Sequence, residues 1–115
     1  MFHAKIVQRG IVFHDYGIYR DDRVLFNFRA DQKEAQAIIH ILNLVDLCAK
    51  KTSDPFPFAI VQQDQSSVLC GPKDSHFHWG PILVGPNDML EKLLPHLMRT
   101  FHESQIQYSH QVGKI

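Results

Sequence analysis

The chain reads as a single α+β domain spanning residues 1–115, built on a mostly antiparallel sheet of about five strands with two main helices. Three observations lead there. Short period-2 runs bounded by turn residues fill the first thirty residues or so. One long stretch with helical periodicity sits in the middle, and a second broad apolar stripe at helical spacing lies towards the end. The predicted order is β-β-(β)-α-β-β-β-α.

The opening strands come first. Ala4–Gln8 alternates weakly, Gly10 breaks it, and residues 11–19 resume with β-branched and aromatic side chains. Asp21-Asp22 supplies a turn. In residues 23–29, Val24, Phe26 and Phe28 share one face of a strand. Asp31, followed three residues later by Glu34, has the pattern of a capping box with Asp in place of Ser or Thr. The helix it opens runs to about Lys51. Ile38, Ile41, Leu42, Val45 and Cys48 recur on one face, while Lys50 and Lys51 suit the negative end of the helix dipole. Ser53, Asp54 and Pro55 end it.

The second half continues with strands over residues 58–62, 67–70 and 76–84, separated by turns at Asp64-Gln65 and Gly71-Pro72. A second helix begins near Pro86 and Asn87, its stripe formed by Leu90, Leu93, Leu94, Leu97, Met98 and Phe101. Pro95 lies inside that stripe, where it removes a helical hydrogen bond, so a kink or break is expected there. Beyond His102 the chain turns polar, and residues 104–115 read as either a frayed tail or an edge strand. Longin, roadblock and profilin-like domains resemble this element order, a likeness of topology that carries no functional residue.

Composition bounds the function. Twelve basic and twelve acidic residues cancel, and the basic ones are scattered, which argues against nucleic acid as a partner. No stretch is long and apolar enough for a transmembrane helix, and residues 1–10 lack the apolar run of a signal peptide. Asn27, Asn43 and Asn87 lie in no glycosylation sequon. Cys48, on an apolar helix face, and Cys70, at a strand end, read as buried free thiols of a reducing compartment. A cytoplasmic protein that neither enters membranes nor binds nucleic acid is the expectation.

Histidine is the compositional outlier, with eight in the chain. His76 and His78 stand at i and i+2, on one face of the expected strand, with Phe77 and Trp79 on the other. The aromatic pair reads as core. The two imidazoles have the spacing to ligate one divalent ion such as zinc, given a further ligand from His14, Cys70 or Asp74.

The string His76-Phe77-His78-Trp79-Gly80 resembles the zinc-binding strand of the α-carbonic anhydrases over five residues. Elsewhere the chain departs from that family. It is too short for so large a β-rich fold, and the third ligand histidine has no counterpart on a strand, since His96 and His102 fall in a helical segment. The family's glutamine and glutamate that hydrogen-bond its ligand histidines are also unmatched. No activity is carried over.

No nucleophile elbow, phosphate-binding loop or HExxH helix is present, and Asp21-Asp22 reads as an exposed turn rather than a catalytic pair. With no catalytic or cofactor-binding residue to name, the expected function is a non-enzymatic protein-interaction module: a small adaptor, chaperone or complex subunit binding through a helix face or a sheet edge. The wide apolar spread of the first helix, which adds Ile39, Leu44 and Leu47 to its stripe, points to a homodimer or a protein partner on that face. The alternative is a small histidine-dependent metalloprotein or enzyme with its metal on His76 and His78.

Overall fold

The computed structural model describes residues 1–51, 55–73, 76 and 78–112, with 109–112 by backbone alone. Its elements are β1 (Phe2–Gln8), β2 (His14–Arg20), β3 (Arg23–Ala30), α1 (Gln32–Lys51), β4 (Ala59–Gln62), β5 (Ser67–Pro72), β6 (Trp79–Gly85) and α2 (Asn87–Val112). The α+β class and the element order stand. Among the described residues the strands number six rather than about five, in two three-stranded antiparallel sheets ordered β1-β2-β3 and β4-β5-β6. The chain divides into two compact units, Met1–Asn43 and Leu44–Ile115, with the boundary inside α1.

In the first unit, β2 is the central strand and carries the buried Tyr16 and Ile18. The turn joining it to β3 places Asp21 at φ 54°, a left-handed conformation that Asp tolerates better than most residues. Phe26, Phe28 and Ala30 are buried along β3, but Val24 is exposed. The register shifts between Ile18 and Tyr19, so that Tyr19 faces Val24 while Ile18 faces Phe26. That bulge breaks the alternation and takes Val24 out of phase with the two phenylalanines.

The start of α1 is a reciprocal capping box. The Asp31 N–H donates to Glu34 Oε1 at 3.1 Å, and the Glu34 N–H donates to Asp31 Oδ1 at 2.8 Å. Ile38, Ile41, Leu42, Leu44, Val45 and Cys48 are buried, and Ile39 and Leu47 are half-buried.

In the second unit, β5 is the central strand, buried along its whole length. The start of α2 is tied to it through Asn87, whose Oδ1 accepts the hydroxyl of the buried Ser67 at 2.8 Å. Helix α2 then runs unbroken through Pro95 to Val112. The proline costs about 3 kcal/mol inside a helix. Leu90, Leu93, Leu97 and Phe101 are all buried on one stripe spanning both sides of it, each contributing roughly 1.5–3 kcal/mol, so burial outweighs the lost bond. Pro95 itself faces solvent. Phe101 adds an edge-to-face contact with Phe56 at 5.6 Å.

Of the segment expected to fray or join a sheet, residues 104–112 are the last part of this helix, and residues 113–115 lie outside the described residues. Ser104 is buried, and its hydroxyl donates to Asp46 Oδ1 of α1 at 2.9 Å. One turn further on, the Tyr108 hydroxyl donates to Asp46 Oδ2 at 3.0 Å. These bonds anchor a stretch too polar to announce itself as a helix.

Candidate functional site

The β6 strand begins at Trp79, so His76 and His78 precede it instead of lying on it. Both imidazoles are exposed, with ring centroids 5.9 Å apart. The segment is closed by the Lys73 N–H, which donates to the His78 carbonyl at 2.9 Å. Phe77 and Asp74 lie outside the described residues. Cys70 is buried in β5, and His14 belongs to the first unit. Among the described residues, no group of three or more His, Cys, Asp or Glu side chains is placed to hold a metal ion.

Trp79 corrects the expectation of a core aromatic. It is 59% exposed, and its Nε1–H donates to the Pro57 carbonyl at 3.3 Å. The ring pins the chain entering β4 rather than filling a core.

The least expected surface is the connection between β1 and β2. Residues 11–13 read as part of the second strand by composition, yet β2 starts only at His14. Ile11 is 99% exposed, and Val12 and Phe13 are exposed with it. Ile6 and Val7, at the end of β1, are exposed as well, on opposite faces of the strand. Five large apolar side chains thus face solvent within eight residues of sequence, against none from α1. The β1–β2 pairing is irregular there, shifting between Ile6 and Gln8.

Two local features hold this connection in shape. The Gly10 N–H donates to His14 Nδ1 at 2.9 Å, closing the segment on itself. A Cβ at Gly10 would lie 2.1 Å from the Phe13 carbonyl oxygen, so no side chain fits without moving the backbone. The signal in the sequence was the unbroken Ile11-Val12-Phe13 triplet beside a glycine, which does not alternate as a half-buried strand should.

Among the described residues, no helix is long and apolar enough to cross a membrane. The thiols of Cys48 and Cys70 are free and buried, and burial pushes the Cys48 thiol above its ordinary range. In comparisons with known proteins, the chain matches no family model, no curated protein and no solved structure.

Proposed function

We propose that this chain is a non-enzymatic protein-interaction module, an adaptor or complex subunit, that docks through the β1–β2 connection and the adjoining edge of β1. The observation that supports this most is the exposure of the three consecutive apolar residues Ile11, Val12 and Phe13, with Ile6 and Val7 also exposed at the end of β1. Grouped apolar side chains of this kind are unfavourable in water and mark interaction surfaces. β1 is an outer strand of its three-stranded sheet, and outer strands offer backbone groups for pairing with another chain. The partner in this reading is a second copy of the chain, because a two-fold contact brings the same apolar patch and the same strand edge together. Two free buried thiols are in keeping with a reducing compartment such as the cytoplasm.

Light scattering after size exclusion, on untagged protein, tests the proposal. The wild type is expected to be a dimer. Ile11→Ser, Val12→Ser and Phe13→Ser combined should leave a folded monomer whose melting temperature, unlike that of the wild type, does not depend on protein concentration. A wild type that stays monomeric at high concentration overturns the self-docking reading.

A second reading rests on the 5.9 Å separation of the His76 and His78 rings, short enough for both to reach one ion such as zinc. Native mass spectrometry of untagged protein with added zinc tests it. One ion per chain, lost in His76→Ala with His78→Ala, supports the reading. Equal uptake by the double variant removes it.

A further inference from the structure

We propose that the first unit contains a binding site for a small amphipathic carboxylate, in a cavity formed by β1, β2 and the first turns of α1. The cavity holds about 600 Å³ and opens to solvent. That volume is within the range of about 300–1,000 Å³ usual for small-molecule sites.

Its lining has two parts. Phe2, Ala35 and Ile39 give it apolar surface. Arg9 and His14 contribute nitrogen donors, with the amides of Gln32 and Gln36 beside them. The donor property of His14 follows from its own bond. Its Nδ1 accepts the Gly10 N–H at 2.9 Å, so in the neutral ring the proton sits on Nε2.

Charge selects the ligand. Among the described residues, Arg9 is the one arginine in the lining, and no lysine or carboxylate joins it there. A single permanent cation on an apolar surface matches one negative charge on an apolar body. The planar guanidinium fits a carboxylate through two parallel hydrogen bonds. A phosphate would bring more charge than one arginine balances, and a ligand without charge would leave the guanidinium unused. A carboxylic acid with an aromatic or branched aliphatic body of modest size fits both halves of the cavity. The cavity shares Ile6 with the docking surface, while Ile11, Val12 and Phe13 do not line it.

The test is a ¹⁵N-resolved NMR titration of the untagged chain with 4-phenylbutanoate, and in parallel with its primary amide. The acid is expected to saturate shifts at residues 2–9, 14–16 and 32–39. It should bind about tenfold or more tightly than the amide, the scale of a charge-assisted hydrogen-bonded pair. Arg9→Gln alters an exposed side chain, so its spectrum should keep the folded pattern while the preference for the acid disappears.

Equal affinity for acid and amide overturns the proposal, as does unchanged acid binding in Arg9→Gln or saturable shifts confined to the second unit. Absence of any saturable shift does the same. A short peptide with a free C-terminus that binds about tenfold more tightly than the acid would overturn the small-molecule identity. Repeating the titration on the Ile11→Ser, Val12→Ser, Phe13→Ser variant separates ligand binding from self-association. The proposal requires that variant to bind the acid as the wild type does.

Discussion

Ser104 of α2 donates its hydroxyl to Asp46 of α1 at 2.9 Å, across 58 residues of sequence, and the other oxygen of the same carboxylate accepts the Tyr108 hydroxyl at 3.0 Å. One acidic side chain thus satisfies two hydroxyls on successive turns of a single helix face. The Lys50 ammonium lies 5.9 Å from the Tyr108 ring, adding a cation near the same helix end.

This arrangement predicts that Ser104→Ala destabilises the protein by roughly 1–2 kcal/mol, since hydrogen bonds to charged groups contribute about that much net. Asp46→Ala should cost more, about 2–3 kcal/mol, because it leaves the fully buried Ser104 hydroxyl without its acceptor. Urea denaturation of both single variants and the double variant measures the coupling. Amide exchange at residues 104–112 should accelerate in Asp46→Ala. Fully additive effects would mean that the bond carries no stability of its own.

The same pair marks where the sequence stops being legible. Local chemistry was readable, as Asp31 and Glu34 show, because both partners of the capping box lie within one turn. The helical nature of residues 104–112 was not, because its anchors lie on Asp46, and no periodicity in the tail reports a distant carboxylate. Val24 was misplaced for a related reason, since a bulge is a property of two strands together and not of either alone. Pro95 read as a kink or a break because its local cost is visible, whereas the burial of Leu93 and Leu97 that offsets it is tertiary. For the candidate surfaces, composition identified the His76 and His78 pair but put it on a strand. It also absorbed Ile11-Val12-Phe13 into β2, hiding the exposed connection that supports the interaction reading.

Gly71 predicts a packing conflict. A Cβ there would stand 2.2 Å from Cδ1 of the buried Phe58 ring, with further ring atoms at 2.7 and 2.9 Å. Gly71→Ala is expected to cost about 1–3 kcal/mol, as overpacked cores do. Adding Phe58→Leu should recover part of that loss, so the double variant is more stable than the sum of the single effects predicts. Thermal denaturation of the four proteins decides it. A Gly71→Ala variant as stable as wild type would show that the ring has somewhere to go.

The two thiols predict slow chemistry. Cys48 is 2% exposed and Cys70 is 7% exposed, and burial disfavours the Cys48 thiolate, which is the reactive form. Labelling by an aromatic disulfide reagent should therefore be at least about a hundredfold slower in the native protein than in denaturant. Both cysteines should label once the chain unfolds, and reducing agent should leave the melting temperature unchanged, because neither thiol is in a disulfide. Rapid labelling of Cys70 in native protein would place β5 in a locally open state.

His96, immediately after Pro95, gives the fold a pH dependence of definite sign. Its pKa is lowered from 6.5, first by desolvation within the protein and then by the Arg99 charge three residues along α2. The unfolded chain takes up a proton at this site more readily than the folded one. The contribution of His96 to stability is therefore complete above the unfolded value and is lost as pH falls below it towards the folded value. The chain holds seven other histidines, so total stability alone does not isolate the effect. The measurement is the difference in unfolding free energy between wild type and His96→Gln, followed from about pH 7.5 down to about pH 5. That difference should shift in favour of His96→Gln as pH falls, because glutamine has no proton to take up. A difference that stays flat across the range would show that the imidazole titrates alike in both states, and the attribution to desolvation and the Arg99 charge would fail with it.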